Sequence, residues 1–388
     1  MRIAAYNVEN LFDRAKVFND ETDAHQDVLD AHAELNTLFE RDTYSDADKA
    51  RMLVIMESLG ILNDNDGRFV RLRKIRGRII RRPRDRTKPR EIVAGGRDDW
   101  IGWVELKTEP VDEIAMMLTA RVMFDAGADI LGVVEAENRP VLKRFQEDMA
   151  RKLGLSETYA HLMLVDGNDA RGIDVGLATR AGFPIERVRS HVDKLRGEDP
   201  EDVPTAADQP IFSRDCPEYE VKTPSGETIM VLVNHFKSKF GGNSPSSRAK
   251  RIAQARAVTR YYQRLRDEGF ENIAVLGDLN DTPDSEELQQ LLSTELRDIS
   301  EHPQFTVEFA VADADNKGHG TFGLGNDNDK IDYLLLSPAL FARATGGGIF
   351  RKGAWPGSRP PRWAVYPELT EKHHAASDHH LIFADIDI

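Results

Sequence analysis

The sequence contains a single cysteine, Cys216, and no apolar run long enough to cross a membrane. One cysteine excludes an internal disulfide framework, and its simplest interpretation is a small core residue. There is no internal repeat and no long low-complexity tract. The first predicted strand covers residues 2–6, so we expect no signal peptide in this sequence, with an already removed leader as the alternative. We therefore expect a reducing, cytoplasmic location and no membrane span.

The composition, with 40% hydrophobic and 30% charged residues in 388, is that of a globular protein. A net charge of −14 argues against a protein that coats nucleic acid with its whole surface. The charge is uneven, because residues 68–90 hold twelve basic residues and one acid, a net +11 against −25 elsewhere. Such a run is usually a solvated surface, an ion-pair partner or a disordered loop. The alternative is a basic arm that holds a polyanion, since arginine forks match phosphate oxygens.

The most informative stretch is residues 273–280. Four apolar residues predict a strand that is buried on both faces. Gly277 then permits a close turn, and Asp278 and Asn280 follow two positions apart, where extended side chains point the same way. A carboxylate and an amide at one strand end can bind a metal or a phosphate, or position a water. Alone, this pattern is equally typical of an ordinary turn.

Five further strand-like runs also border on polar residues. These residues, in chain order, are Asn7, Glu135, Asn234 with His235, Asp332, and Asp378 with His379. The set resembles the endonuclease/exonuclease/phosphatase superfamily, whose motifs it matches in order across residues 2–388. Gly277-Asp278-Leu279-Asn280, Ser377-Asp378-His379 and Ile331-Asp332-Tyr333 carry the resemblance together with Glu135. The departures are Val134 and Leu279, where glutamine and phenylalanine are commoner, and neither has a chemical role.

The resemblance implies an α/β fold, a four-layer sandwich of two mixed β-sheets flanked by helices, here with an inserted basic arm. Alternation of helices and strands along the chain fits the same architecture. We expect one catalytic domain over residues 1–388, with an insertion at residues 13–110. Within the insertion, residues 45–59 predict a helix capped by Ser45, and the basic stretch predicts a hairpin that turns near Gly77.

The resemblance also implies the roles of the site residues. The expected metal ligands are Asn7, Glu135 and Asp378, and the expected ion is Mg²⁺, with Mn²⁺ or Ca²⁺ as alternatives. The expected catalytic residues are His235, Asp278, Asn280, Asp332 and His379. In this set Asp332 orients His379, and either Asp278 or His379 is the base that activates water.

Four residues are candidates for substrate binding. Arg171 stands where family members often contact phosphate, Lys237 follows His235 closely, and Arg81 and Arg82 belong to the basic stretch. The neighbouring histidines His373 and His374 could bind a metal, but the favoured interpretation is a flexible surface pair.

The expected activity is hydrolysis of a phosphodiester in a nucleic-acid substrate by attack of water on phosphorus. A phosphatase or a phospholipase-type diesterase acting on inositol phosphates or lipids would use the same residues. A binding module without catalysis is the third alternative, but such a module normally lacks a catalytic residue. The oligomeric state and the choice between DNA and RNA do not follow from the sequence.

Overall fold

The computed structural model describes residues 1–11, 25–85, 88–107, 112–169, 172–198, 207–239, 244–312, 318–358 and 360–388. The chain divides into two compact units, the first made of residues 1–12 and 111–388 and the second of residues 13–110. The second unit has the bounds of the predicted insertion, and its status as an insertion into one catalytic domain stays a prediction. No helix in the described ranges is both long enough and apolar enough to cross a membrane.

The structure contains seventeen strands and seven α-helices in its described residues. The strands are β1 (Arg2–Leu11), β2 (Val70–Gly77), β3 (Ile80–Arg81), β4 (Glu91–Ile92), β5 (Trp100–Leu106), β6 (Ile130–Ala136), β7 (His161–Val165), β8 (Asp174–Thr179), β9 (Ile185–Arg189), β10 (Glu218–Lys222), β11 (Thr228–His235), β12 (Ile273–Asp278), β13 (Arg297–Asp298), β14 (Phe305–Val307), β15 (Asp332–Leu336), β16 (Ala344–Phe350) and β17 (Leu381–Ile386). The helices are α1 (His25–Phe39), α2 (Asp46–Ser58), α3 (Glu113–Asp125), α4 (Arg139–Leu153), α5 (Pro245–Asp267), α6 (Gln289–Leu292) and α7 (Pro338–Ala342).

The first unit is built on two large sheets. A seven-stranded sheet has the order β14-β16-β17-β1-β6-β8-β7, and a six-stranded sheet has the order β13-β15-β12-β11-β10-β9. Both sheets are mixed, because β1 and β6 run parallel in one and β11 and β12 run parallel in the other, while their outer neighbours run antiparallel. The predicted pair of mixed sheets is therefore confirmed.

Apolar side chains from both sheets meet in one core. Ile3, Val134 and Val175 from the first sheet pack in the same buried cluster as Val233 and Leu276 from the second. The outer faces are also covered, because α3 and α4 contribute to the cluster behind the first sheet and α5 and α6 to the cluster behind the second. Strands buried on both faces explain why their sequences are continuous apolar runs. The four-layer sandwich is confirmed.

The second unit contains α1, α2 and two small sheets, which pair β2 with β5 and β3 with β4. Helix α2 begins as predicted, with Ser45 and Asp48 forming a reciprocal capping box. The predicted hairpin at Gly77 is wrong, because β2 ends there but pairs with the distant β5. The described residues of the basic stretch lie on β2, on β3 and in the adjoining loops. The function of the stretch as a substrate-binding arm stays a prediction.

Candidate active site

The centre of the site lies where β12 ends between two neighbouring strands. The parallel register places His235 beside Asp278, and the antiparallel register on the other side places Asp332 beside Asp278. Gly277 makes this possible, because its φ is +121° and an added Cβ would lie 2.1 Å from the carbonyl oxygen of Asn234. Only glycine combines that backbone conformation with so close an approach of two strands.

His379 and Asp332 form a buried hydrogen-bonded pair. Nδ1 of His379 lies 2.9 Å from Oδ2 of Asp332, and both side chains are buried. The hydroxyl of Ser377 accepts a hydrogen bond from the backbone N–H of His379 at 3.0 Å and so fixes the backbone that carries the ring. Burial lowers the pKa of His379, but Asp332, Asp278 and Asp378 outweigh it and raise the pKa well above its ordinary value. The predicted orientation of His379 by Asp332 has the required geometry.

Asn7 joins the two sheets at the site. It is buried on β1 of the first sheet, and its Nδ2 donates to Oδ2 of Asp278 on the second sheet at 3.2 Å. The same nitrogen lies 3.3 Å from Nε2 of His379. The carbonyl of Asn7 accepts the hydroxyl of Ser377 at 2.8 Å, so the segment that carries Asp378 is also fixed to β1.

Glu135 reaches the site through an irregularity in β6. Its φ is +67°, and the pairing of β6 with both β1 and β8 changes register at this residue. A bulge of this kind re-aims a side chain out of the regular alternation. Oε1 of Glu135 consequently lies 3.5 Å from Nε2 of His235, which is itself 3.7 Å from Oδ2 of Asp278.

Glu9 belongs to the site although the sequence interpretation did not include it. It has a φ of +48° at a register change in β1, and its carboxylate accepts the backbone N–H of Asp378 at 2.8 Å. Glu9 is exposed at the surface, but the surrounding protein desolvates its carboxylate, and this effect and the charge of Asp378 raise its pKa to about 7. Sequence spacing alone did not reveal it, because the positive φ of Glu9 breaks the regular alternation that would relate its side chain to that of Asn7.

The carboxylates of the site act strongly on one another. Burial and the neighbouring Asp332 raise the pKa of Asp278 to about 7. Burial and the charge of Glu135 likewise raise the pKa of Asp378. One ligand atom each from Asp278, Asp332 and His379 lies within 4.8 Å of the others. This cluster could hold a metal, and it differs from the predicted set, in which Asn7, Glu135 and Asp378 were the ligands.

Helix α5 holds the two loops that carry the central residues. The fully buried Arg251 donates to Oδ2 of Asp281 at 2.9 Å and to the carbonyl of Lys237 at 3.2 Å. Gln254 of the same helix accepts the backbone N–H of Lys237 at 2.9 Å. Asp281 directly follows Asn280. One helix therefore fixes both the chain after His235 and the chain after Asp278, which the sequence gave no reason to expect.

The backbone carbonyl of Phe236, in the chain after His235, accepts hydrogen bonds that link this chain to the loop after Asp278. The side-chain amide of Asn280 donates to the carbonyl of Phe236 at 3.2 Å, and the buried Arg214 donates to the same oxygen at 3.4 Å. Asp169 pairs with Arg214 at 3.0 Å. Asn280 adopts a φ of +53°, and its backbone N–H donates to Oδ1 of Asp278 at 2.8 Å, forming the turn that aims both side chains.

The predicted substrate-binding residues are less well placed. Arg171 lies outside the described residues, and Lys237 contacts α5 through its backbone. Arg81 pairs with Glu91 within the second unit. Arg82 donates to the carbonyls of its own unit, including that of Leu62 at 2.8 Å, which favours a structural role. Substrate binding by these residues stays a prediction.

A family model described as the Endonuclease/Exonuclease/phosphatase family matches residues 85–351, more than half of the chain. No significant match is found among curated protein sequences.

Among solved structures, the mannosyl-6-phosphatase of Bacteroides thetaiotaomicron is 15% identical, with a TM-score of 0.48 and coverage of 71% of this chain and 91% of that one. The human Nocturnin catalytic domain is 16% identical, with a TM-score of 0.46 and coverage of 72% and 88%. Truncated TDP2 of Caenorhabditis elegans is 16% identical, with a TM-score of 0.43 and coverage of 70% and 88%. The family match, together with the two mixed sheets and the site between them, shows that this chain belongs to the endonuclease/exonuclease/phosphatase family of phosphoesterases.

Proposed function

We propose that the protein is a Mg²⁺-dependent phosphodiester hydrolase that cleaves DNA or RNA by attack of water on phosphorus. The observation that carries the proposal is the buried pair of His379 and Asp332 beside Asp278. Asn7, His235 and the other catalytic candidates converge on this pair. A module that only binds would have no need of a buried histidine with an orienting carboxylate, which is the arrangement used for proton transfer.

The donor set fits a hard divalent cation. The carboxylates of Glu9, Glu135 and Asp378 lie close enough to act electrostatically on one another. Oxygen donors of this kind suit Mg²⁺, which is commonly held by one or two carboxylates and substrate oxygens. We assign Glu135 and Asp378 as its ligands, with Asn7 assisting. When bound, the ion would neutralise charge that develops on the phosphate.

We assign the general base to Asp278. The Nδ1 atom of His379 is engaged with Asp332, and three nearby carboxylates raise the pKa of the ring well above its ordinary value, which favours the protonated form. In that form the ring cannot accept the proton of the attacking water. The pKa of Asp278 is about 7, which leaves a substantial fraction ionised and able to accept it.

The remaining two candidates act on the substrate. His235 lies between Glu135 and Asp278 and is suited to donate to a phosphate oxygen or to the leaving oxygen. The bond from Asn280 to the carbonyl of Phe236 fixes the plane of its amide. We assign Asn280 to orient the attacking water or to donate to a phosphate oxygen.

The choice of a nucleic acid rests on charge. Lys74, Arg76 and Arg78 are exposed, and within the described residues none of them has an acidic partner. Unpaired cations on a protein of net charge −14 are suited to hold a polyanion that the rest of the surface repels. A phosphoinositide surface would also attract them, and this alternative is separated by experiment.

The experiment is turnover on a panel of plasmid DNA, single-stranded DNA, RNA, phosphoinositides and sphingomyelin. Protein stripped by a chelator should be inactive and should recover with Mg²⁺ or Mn²⁺, with Asp278→Asn as the inactive control. Full activity in excess chelator would overturn the metal requirement. If only the lipids are hydrolysed, the nuclease proposal is rejected and the phospholipase-type alternative is accepted.

A second experiment tests the basic residues. Replacing Lys74, Arg76 and Arg78 by alanine should weaken nucleic-acid binding for all sequences, and each lost phosphate contact should reduce the slope of log affinity against log salt by about 0.7 to 0.9. Arg73→Ala is the matched control, because Arg73 already pairs with Glu105 at 2.6 Å. Turnover of a small chromogenic diester should not change in either variant. If the folded triple variant shows an unchanged salt slope, these residues do not contact phosphates and the basic stretch has only a structural role.

A further inference from the structure

A second group of metal-binding side chains lies outside the active site. Asp112 caps α3, and His373 and His374 lie on the short 3-10 helix Lys372–His374. One ligand atom from each of the three residues lies within 4.8 Å of the others. The two histidines were interpreted from the sequence as a surface pair, and the fold brings them an acidic neighbour from a distant part of the chain.

The spacing of the group fits a shared cation. Nε2 of His373 lies 3.6 Å from Oδ2 of Asp112, which is too long for a hydrogen bond between these atoms. Ligands that stand about 2.0–2.2 Å from a tetrahedral metal are themselves roughly 3.3–3.5 Å apart. The rings of His373 and His374 are also close, with their centroids 4.3 Å apart.

The other ring nitrogen of His374 has a hydrogen-bond partner, and that of His373 has an acidic neighbour. Nδ1 of His373 lies 3.5 Å from Oε2 of Glu371, and Nδ1 of His374 lies 3.1 Å from the hydroxyl of Thr370. Metal-bound histidines usually have such a partner, which fixes the tautomer and the direction of the ring. In His373 the Nε2 atom, which faces Asp112, is left as the ligand.

The carboxylate of Asp112 is held in the same way. Its Oδ1 atom accepts the backbone N–H groups of Ile114 at 2.8 Å and Ala115 at 3.1 Å. These bonds fix the carboxylate and direct Oδ2 towards His373.

We propose that Asp112, His373 and His374 form a binding site for a borderline transition-metal cation such as Zn²⁺, separate from the catalytic centre. Two imidazoles and one carboxylate favour Zn²⁺, Ni²⁺ or Cu²⁺, whereas Mg²⁺ prefers oxygen ligands alone. The site lies four residues before Asp378. Because Thr119 of α3 already donates to the carbonyl of Ala376 at 2.7 Å, the cation adds a second link between α3 and the segment that carries Asp378.

The test measures binding and does not depend on activity. Protein is first stripped of transition metals with a chelator and then placed in saturating Mg²⁺, which occupies the catalytic centre. It is titrated with Co²⁺, whose visible absorption reports a site of this geometry, and in a separate calorimetric titration with Zn²⁺. The wild type should bind one ion, and a variant carrying both His373→Ala and His374→Ala should lose it. Glu371→Gln should weaken binding about tenfold through the orientation of His373. His302→Ala, which removes a histidine elsewhere, is the control.

Two further variants make the outcome decisive. Asp112→Asn keeps a good helix cap and removes the charged ligand, so it should weaken binding without loss of folding. Asp278→Asn should leave the Co²⁺ signal unchanged. The proposal is overturned if the wild type binds no Co²⁺ or Zn²⁺ in saturating Mg²⁺, if the double-histidine variant binds as the wild type does, or if Asp278→Asn alone abolishes the signal.

Discussion

Gly277→Ala tests whether the close approach of β11 and β12 assembles the active site. Gly277 has a φ of +121°, and its added Cβ would lie 2.1 Å from the backbone oxygen of Asn234. That oxygen belongs to the strand position next to His235, and it cannot rotate away as a side chain would. The two strands must separate by roughly 1 Å at this position to relieve the overlap.

The expected loss has two parts. The positive φ costs on the order of 1–3 kcal/mol for any residue other than glycine. Forcing an extra methyl group into a packed position costs about 1–3 kcal/mol more. Because His235 and Asp278 form the next pair in the register, their separation also changes, and a displacement of about 1 Å can reduce the rate about a hundredfold.

Gly269→Ala is a matched control that isolates the first part. Gly269 follows α5 and has a φ of +92°, but no atom lies within 4 Å of its added Cβ. We expect this variant to lose about 1–3 kcal/mol through backbone strain alone and to retain its activity. The difference between the two variants measures the effect of the close contact.

The assays are urea unfolding and turnover of a chromogenic phosphodiester in Mg²⁺. Gly277→Ala should be less stable than Gly269→Ala and about a hundredfold less active, while folding to the same secondary structure. Equal stability of the two variants, or full activity of Gly277→Ala, would refute the claim that this glycine sets the distance between His235 and Asp278.

Three other predictions follow from the site and its supports. Asp332→Ala, His379→Ala and the double variant should each lose activity by about a hundredfold or more, because the two side chains act as a unit; losses that multiply in the double variant would show independent roles. Arg251→Met should cost up to about 3–5 kcal/mol in urea unfolding, because the buried carboxylate of Asp281 then keeps only its partly exposed partner Lys239 among these two cations. A change below 1 kcal/mol would contradict the claim that Arg251 of α5 fixes the chain after Asp278. Burial raises the folded-state pKa of Asp174 to about 6 from 3.8, so the folded protein binds this proton more tightly and its stability falls as the pH rises through that interval. Asp174→Asn should therefore be more stable than the wild type above pH 6, with a gain that shrinks towards pH 3.8, and a gain independent of pH would exclude this cause.

Much of the fold and most of the site's residue types could be predicted from the sequence. Strands buried on both faces appear as apolar runs, and the polar residues that end them are adjacent in the chain. Asp278, Asp332 and His379 were therefore found beside their strands before their contacts were known. Ser45 likewise marked the start of α2, because helix capping is a local property.

The tertiary structure decided which of these residues meet and which others join them. The hairpin at Gly77 was wrong because β2 pairs with β5, and a pairing across a long loop leaves no local signal. Glu9 enters the site through a bulge, and Arg251 reaches both catalytic loops from α5. Asp112 meets His373 only because α3 packs against the C-terminal segment. Register, bulges and helix packing depend on contacts between residues that are far apart in the chain, so residue types follow from the sequence while their geometry follows from the fold.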